Sequence, residues 1–191
     1  MNAEQVINEF KQTEALLEGH FQLTSGLHST VYLQCARVLQ FPDKAAAFGD
    51  AIARQFAGQG IELVASPAIG GIVIGHEVAR ALGARFIWTE REAGKMTLRR
   101  GFSVSPGEKT LVVEDVITTG GSTRETIDAL REAGANVVGA ASIIDRSAGA
   151  VDVGVPRTAL VSLKVVAVDP ADCDACKLGD PVIKPGSRKT A

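Results

Sequence analysis

The sequence predicts an α/β fold with a central, mainly parallel sheet flanked by helices. From about residue 63 onwards, short apolar runs alternate with glycine turns and helical patterns. This alternation is typical of parallel sheets that are covered by helices on both faces. The 191 residues are enough for one full core, and no repeat or linker divides them. We therefore expect a single domain over residues 1–191.

The elements ahead of residue 60 predict a small N-terminal layer. Five apolar residues have the spacing of an amphipathic helix over about residues 3–18: Val6, Ile7, Phe10, Leu16 and Leu17. Residues 21–40 contain short extended pieces around a Ser-Gly turn. A helix then begins at Pro42 and runs to about Gly58.

Four apolar runs predict the strands of the sheet, over residues 63–65, 86–88, 110–114 and 137–145. Helices are predicted from about Gly71 and about Ser122. Ligands of such sheets bind beyond the carboxyl ends of the strands. Candidate site residues are therefore those that follow these runs.

Residues 111–123, Leu-Val-Val-Glu-Asp-Val-Ile-Thr-Thr-Gly-Gly-Ser-Thr, are the most informative run in the chain. The unpaired N–H groups at a helix start bind phosphate oxygens, and glycine lets the backbone approach the anion. Glu114 and Asp115 would repel a phosphate, so we expect them to accept hydrogen bonds from a ribose diol. The run has neither the nucleotide-triphosphatase pattern nor the dinucleotide pattern. It predicts a sugar-phosphate site.

This run resembles the 5-phosphoribosyl 1-pyrophosphate (PRPP) signature of type I phosphoribosyltransferases. The resemblance implies their fold, with a hood at about residues 1–40, a PRPP-binding core at about 41–170 and a tail at about 171–191. An ordinary strand and glycine turn would leave the two carboxylates unexplained. The PRPP-binding residues implied are Glu114, Asp115, Val116, Ile117, Thr118, Thr119, Gly120, Gly121 and Ser122.

A second run of small residues follows the strand at residues 63–65. The resemblance implies that these residues hold the pyrophosphate of PRPP. Many orotate phosphoribosyltransferases carry a lysine where this chain has Gly70, and a glycine turn used only for tight packing is the alternative. The residues are Ala68, Ile69, Gly70 and Gly71.

The charged segment at residues 89–101 joins two predicted strands at the ligand edge, where long polar insertions often act as lids. In orotate phosphoribosyltransferases a flexible loop with basic residues reaches into the neighbouring subunit. The resemblance therefore implies a homodimer and catalytic roles for Arg91 and Lys95. The histidine of that loop is missing here, and a solvated surface hairpin is the alternative.

Two segments point to orotate as the second substrate. A Ser-Gly-x-x-Ser turn at residues 25–29 resembles the hood of orotate phosphoribosyltransferases. Thr24 replaces a basic residue of that hood, so its phosphate contact is either missing or supplied by His28. Arg146 ends a strand and offers a guanidinium fork that matches a planar carboxylate. The resemblance implies that Arg146 and Thr118 bind orotate. A salt bridge from Arg146 to Asp145 or a neighbour is the alternative.

The activity implied is Mg²⁺-dependent transfer of ribose 5-phosphate from PRPP to orotate, which gives orotidine 5′-monophosphate and pyrophosphate in pyrimidine synthesis. Mg²⁺ keeps several waters and prefers phosphate oxygens, so no protein metal motif is expected for it. Two alternatives stay open: a phosphoribosyltransferase acting on a purine base, and a non-catalytic regulator that senses PRPP.

Composition sets the remaining expectations. The net charge of −2 gives no bulk attraction for nucleic acid or a membrane, and no apolar run is long enough to span a bilayer. The N-terminus lacks the pattern of a signal peptide, so we expect a cytoplasmic protein. Cys173 and Cys176 form a Cys-x-x-Cys pair, but the three histidines are scattered in sequence. The pair could bind zinc or carry out redox chemistry, but no second Cys-x-x-Cys and no His-x-x-x-His pattern completes four ligands. We therefore expect reduced thiols in a loop and no structural metal, with zinc shared between two chains as the alternative.

Overall fold

The structure is a computed structural model and describes residues 1–23 and 25–185. In this part of the chain, the protein folds around two sheets. The strands of the described part are β1 (Leu16–Gln22), β2 (His28–Leu33), β3 (Leu63–Pro67), β4 (Arg85–Glu92), β5 (Lys95–Leu98), β6 (Lys109–Ile117), β7 (Asn136–Asp145), β8 (Arg157–Ser162) and β9 (Ala167–Val168). The α-helices there are α1 (Ala3–Gln12), α2 (Ala36–Leu39), α3 (Pro42–Ala53), α4 (Gly71–Leu82), α5 (Gly121–Glu132) and α6 (Asp174–Lys177). Short 3₁₀ turns occupy Arg54–Phe56 and Pro170–Asp172.

The larger sheet has six strands in the order β5-β4-β3-β6-β7-β8. All neighbouring pairs are parallel except β4 and β5, which are antiparallel. The predicted mainly parallel sheet is therefore confirmed. Strands β3 and β6 are neighbours at its centre, so the two glycine turns that follow them lie at the same edge.

Helices cover both faces of this sheet because side chains alternate along its strands. Val64 packs into a core with residues of α3 and α4, such as Phe48 and Ile74. Leu63 and Ala65 pack into a second core with Ile127 and Leu130 of α5. Strands that are covered on both faces in this way explain why the runs in the sequence are mostly apolar and do not alternate with polar residues.

The N-terminal layer is a three-stranded antiparallel sheet in the order β1-β2-β9, preceded by α1. The predicted helix over residues 3–18 is too long. It ends at Gln12, and Glu14 has a left-handed φ of 52°, which a continuing helix cannot accommodate. Leu16 and Leu17 belong to β1, where they pair with Leu33 and Tyr32 of β2.

Two further boundaries and one strand differ from the sequence prediction. Strand β6 continues through the two carboxylates to Ile117, because β7 pairs with it as far as Asp145. Helix α3 ends at Ala53 and is followed by the 3₁₀ turn. The edge strand β8 was not predicted, since most of its residues are partly or fully exposed and only Val161 is buried.

The charged segment at residues 89–101 contains a β-hairpin. Strand β4 runs to Glu92 and pairs with β5, and the turn between them places Ala93 and Gly94 at positive φ. This geometry matches the hairpin alternative, whereas a lid role stays a prediction. In the described part of the chain, no helix has the length and apolarity required to traverse a bilayer.

Candidate active site

The acidic pair of β6 lies against the glycine turn that follows β3. A Cβ added to Gly70 would lie 2.9 Å from Oδ1 of Asp115, and one added to Gly71 would lie 3.2 Å from Oε1 of Glu114. Parallel pairing of β3 with β6 brings these residues together. The structure therefore unites two motifs that are more than forty residues apart in the sequence.

Burial controls the charge of this pair. Glu114 is 8% exposed, and burial, followed by the charge of Asp115, raises its pKa well above the usual range. Burial also raises the pKa of Asp115, although Val116 donates its backbone N–H to Oδ1 of Asp115 at 2.8 Å. Two buried carboxyl groups side by side cannot both ionise at low cost. A ligand that donates hydrogen bonds or brings a cation would stabilise their ionised forms.

The turn between β6 and α5 presents a row of free backbone donors. Within the described chain, the N–H groups of residues 118–123 donate no hydrogen bond, and the first helical bond is from Arg124 to the carbonyl of Gly120 at 2.9 Å. Gly120 has φ of 71°, and a Cβ there would lie 2.6 Å from Cγ1 of Val151. Glycine is therefore required by both conformation and space. This geometry forms an anion-binding nest.

Predicted members of the turn differ in what their side chains can reach. Thr118, Thr119 and Ser122 are exposed and can add hydroxyl donors to the nest. Ile117 is 1% exposed, so only its backbone is near the turn. Val116 is partly buried against the core.

The turn at residues 68–71 is a second nest at the same edge. Ala68 donates its N–H to the carbonyl of Thr89 at 2.8 Å. Among the described residues, the N–H groups of Ile69, Gly70 and Gly71 have no acceptor. The side chain of Ile69 is 85% exposed, which leaves the backbone as the polar surface of this turn. The acidic pair thus lies between two turns whose free N–H groups could each hold an anion.

Arg146 opens into a cleft of about 740 Å³ between the end of the sheet and the N-terminal layer. Its Nε is buried and has no hydrogen-bond partner in the described part of the chain, and burial lowers the pKa of the guanidinium. A buried cationic donor without a partner is costly, and an anionic ligand would remove that cost. The cleft is lined by Gln22, Leu23, Ser25, Tyr32, Leu33, Thr118, Thr119, Arg146, Val165, Lys184 and Pro185.

Arg146 is free for a ligand because Asp145 has another partner. Arg157 donates from Nη1 to Oδ2 of Asp145 at 2.8 Å, and both side chains are nearly buried. Burial alone would raise the pKa of Asp145, but hydrogen bonds from Ser147, Arg157 and the N–H of Gly149 lower it to about 2. The ion pair between Arg146 and Asp145, the alternative for Arg146, is not formed.

Arg91 and Lys95 lie on the β4-β5 hairpin and do not line this cleft. Arg91 forms an ion pair with Glu125 of α5 at 2.7 Å, and its Nη1 donates to the carbonyl of Gly94 at 2.5 Å. Lys95 is exposed, and its ammonium contacts no carboxylate among the described residues. Their predicted catalytic roles stay predictions.

His28 does not line the cleft, which favours the alternative in which the phosphate contact of the hood is missing. It is 5% exposed and lies beside His20, with Nδ1 2.8 Å from Nε2 of that residue. Cys173 and Cys176 lie next to the same pair. The histidines predicted to be scattered are therefore partly clustered, and Cys176 lies in α6, not in a loop. Thr24 and residues 186–191 of the predicted tail lie outside the described residues.

Sequence reasoning missed several residues of the site. Arg124 anchors the turn between β6 and α5 by donating to the carbonyls of Thr119 at 2.8 Å and Asp152 at 2.6 Å. Arg157 fixes Asp145, and Tyr32 lines the cleft from β2. The aromatic residue after the Ser-Gly turn was a signal for Tyr32. No signal in the sequence pairs Arg157 with Asp145, twelve residues away.

The chain matches known proteins over most of its length. A family model described as "Phosphoribosyl transferase domain" matches residues 38–174. The orotate phosphoribosyltransferase of Pelotomaculum thermopropionicum is 55% identical over 189 residues, which are 99% of this chain and 100% of that protein.

Solved structures agree with this assignment. The crystal structure of orotate phosphoribosyltransferase from Aeropyrum pernix has a TM-score of 0.65 and 26% identity, and the match covers 83% of this chain and 94% of that one. An adenine phosphoribosyltransferase from Rhodothermus marinus has a TM-score of 0.63 at 22% identity, covering 84% and 99%, and shows that the fold is shared across bases. Phosphoribosyltransferases generally need a divalent metal. The fold and the full-length identity together show that the chain belongs to the orotate phosphoribosyltransferase family.

Proposed function

We propose that this protein transfers the ribose 5-phosphate group of PRPP to orotate. The bond that forms joins N1 of orotate to C1 of the ribose, and the bond that breaks joins C1 to the pyrophosphate oxygen. Pyrophosphate leaves, and orotate loses its N1 proton. The observation that carries the proposal is the unpartnered, buried Nε of Arg146 in a cleft that also contains Thr118.

PRPP fits along the edge of the sheet. The nest at residues 118–122 would bind the 5′-phosphate, because its free N–H groups and hydroxyls are donors without acceptors. Glu114 and Asp115 would accept hydrogen bonds from the ribose diol. The nest at residues 68–71 would bind the pyrophosphate, and the close contact of Gly70 with Asp115 supports a position beside the proposed ribose site.

Mg²⁺ is the divalent cation we propose. The carboxylates of Glu114 and Asp115 are hard oxygen donors, and their raised pKa values mean that a cation bound nearby would favour the ionised pair. The phosphate and hydroxyl oxygens of PRPP would supply most of its ligands. When bound, the cation would offset the negative charge of the departing pyrophosphate.

Arg146 is the proposed determinant of the base. Orotate carries a carboxylate that adenine and hypoxanthine lack, and a guanidinium fork can donate two parallel hydrogen bonds to it. Thr118, in the turn between β6 and α5, would contact the pyrimidine ring of orotate. Because Arg146 is half-buried, this charge pairing would be stronger than it is in bulk water.

Arg91 and Lys95 are proposed to act across a homodimer. Neither lines the cleft of its own chain, which is consistent with a role in the partner's site. In the ion pair between Arg91 and Glu125, the two side chains are 45% and 44% exposed. Exposed pairs contribute only about 0–1 kcal/mol, so Arg91 can leave Glu125 at little cost. We also propose a cytoplasmic location, in which the free thiol of the buried Cys35 stays reduced.

A competition experiment tests the choice of base. Equal concentrations of orotate, adenine, hypoxanthine and xanthine are mixed with PRPP, Mg²⁺ and the purified protein, and the nucleotides formed are separated and identified by mass spectrometry. We expect orotidine 5′-monophosphate alone. Formation of a purine nucleotide would contradict the role of Arg146, and PRPP binding without any nucleotide would contradict catalysis.

A further inference from the structure

The structure brings two histidines of the N-terminal layer onto the Cys-x-x-Cys pair. His20 lies in β1, His28 begins β2, Cys173 precedes α6 and Cys176 lies within it. One ligand atom from each residue can be chosen so that all four lie within 4.8 Å of one another. These residues are not part of the proposed active site.

We propose that these four side chains bind a structural zinc ion. Two thiolates and two imidazoles form a donor set that zinc prefers, and four protein ligands without an open position are typical of structural sites. The cluster is also protected, because His20, His28 and Cys173 are each less than 8% exposed, at 7%, 5% and 6%.

The nitrogen–sulfur distances are close to those of a tetrahedral zinc site, whereas the two nitrogen atoms lie closer together than such a site requires. Nε2 of His20 lies 2.8 Å from Nδ1 of His28, 3.4 Å from Sγ of Cys173 and 3.5 Å from Sγ of Cys176. Sγ of Cys176 lies 3.2 Å from Nδ1 of His28. Zinc bonds of about 2.3 Å to sulfur and about 2.0–2.1 Å to nitrogen separate neighbouring ligand atoms by about 3.3–3.8 Å. Small shifts of the side chains would therefore complete the site.

Hydrogen bonding alone does not account for this cluster. Nδ1 of His20 lies 2.9 Å from the carbonyl oxygen of Asp180, which can only accept, so Nδ1 carries the proton. In neutral His20, Nε2 then has one lone pair and can accept one hydrogen bond. Three groups surround it, however: Nδ1 of His28 and the Sγ atoms of Cys173 and Cys176. A metal ion would use that lone pair and the other three ligands together. A backbone carbonyl that orients a histidine is also the usual partner of zinc-bound imidazole.

The ion would attach the C-terminal segment to the N-terminal layer. Ile183 donates its N–H to the carbonyl of His20 at 2.8 Å, and Gln22 donates to the carbonyl of Ile183 at 2.8 Å. Gln22 and the next residues of this segment, Lys184 and Pro185, line the cleft that contains Arg146. Zinc would therefore stabilise one wall of the proposed orotate cleft without touching the reacting atoms.

Metal content tests this proposal directly. The full chain is produced with zinc in the medium, freed of loosely bound metal by gel filtration, and analysed by inductively coupled plasma mass spectrometry. We expect about one zinc per chain, and less than a tenth of that in Cys176→Ser and in His20→Gln. Cys35→Ala and His76→Gln are matched controls that should retain the zinc, since Cys35 lies in the core and His76 is exposed.

Cobalt provides a second measurement on the folded protein. After zinc is removed with a chelator, added Co²⁺ should give the intense visible bands of a tetrahedral site with sulfur ligands, and these bands should be absent in Cys176→Ser. The proposal is overturned if the wild-type chain holds neither zinc nor tetrahedral cobalt, or if it holds iron instead. A mass 2 Da lower, from a disulfide between Cys173 and Cys176, or zinc retained by both ligand variants, would also overturn it.

Discussion

Gly70 and Asp115 are in such close contact that a side chain at position 70 would displace the carboxylate. An added Cβ would lie 2.9 Å from Oδ1 and 3.0 Å from Oδ2 of Asp115. Gly70 has an ordinary helical conformation, with φ of −57°, so the requirement for glycine is one of space, not of backbone strain. The contact couples the proposed pyrophosphate turn to the proposed ribose site.

Gly70→Ala should weaken PRPP binding with little effect on folding. The methyl group would push the carboxylate of Asp115 out of position, and we expect the Kd for PRPP to rise about tenfold, which corresponds to about 1.4 kcal/mol. Isothermal titration calorimetry measures the Kd, and thermal unfolding provides the control because Gly70 is exposed. An unchanged Kd, at an unchanged Tm, would show that the contact does not matter for PRPP.

Arg146→Ala should affect orotate far more than PRPP. Loss of a charge-assisted contact costs about 1.5–3 kcal/mol, so we expect the KM for orotate to rise about 10- to 100-fold. Steady-state kinetics with each substrate varied in turn measures both KM values. Arg131→Ala, an exposed arginine of α5, is the matched control. Equal losses for both substrates would contradict a specific role in binding orotate.

Arg157→Ala should destabilise the fold because it leaves Asp145 without its cationic partner. Removing one member of a buried ion pair costs about 3–5 kcal/mol. The side chains of Arg157 and Asp145 are only 11% and 2% exposed, so solvent does not replace the lost interaction. Urea unfolding at neutral pH measures the loss. A change of less than 1 kcal/mol would contradict this role of Arg157.

The carboxylate of Asp145 should also make the folded state less stable at low pH. The folded-state pKa of Asp145, about 2, lies below its ordinary value of 3.8. Its contribution is therefore present above about pH 4 and is lost as the pH falls towards 2. For this nearly buried group we expect a loss of about 2 kcal/mol over that range. A free energy of unfolding that falls equally steeply in wild type and in Asp145→Asn would contradict the assignment.

Glu114→Gln should remove a pH dependence of stability that is opposite in sign to that of Asp145. Burial raises the folded-state pKa of Glu114, so the native state holds a proton that the unfolded state releases above its ordinary pKa of 4.5. The stabilisation that the protonated Glu114 gives to the folded state is fully present below about pH 4.5, and it is lost as the pH rises towards the folded-state pKa. In the absence of PRPP, we expect the Tm of wild type to fall more than that of Glu114→Gln between pH 6 and 8.5. Glu132→Gln, at an exposed position, should behave as wild type.

Lys95→Ala should reduce turnover about 10²- to 10³-fold if Lys95 stabilises the departing pyrophosphate. A mixed dimer tests whether Lys95 acts across the interface. One subunit carries Lys95→Ala and the other carries Asp115→Asn, so action in trans leaves one intact site in each mixed dimer and about half of the wild-type activity. Action within one chain would leave no intact site, and the purified mixed dimer would be as inactive as its parents. Lys11→Ala, in the exposed part of α1, is the matched control.

The sequence was sufficient for strands β3, β4, β6 and β7 of the larger sheet and for the order of the site motifs, because these depend on local signals. Apolar runs gave the strands, and the run around Glu114 and Asp115 gave the turn between β6 and α5. The end of α1 was not predictable from spacing alone, since Leu16 and Leu17 fit a helix but pair with β2. Long-range partners left no local signal: neither the pairing of Arg157 with Asp145 nor the meeting of His20 with Cys173 follows from sequence spacing.

The most direct test of the proposed function is the absorbance of orotate in a mixture of the purified protein, PRPP and Mg²⁺. We predict a loss of absorbance that requires both PRPP and Mg²⁺ and that slows when pyrophosphate is added. Constant absorbance under conditions in which calorimetry shows PRPP bound would contradict the account, because a competent site with PRPP in place should consume orotate.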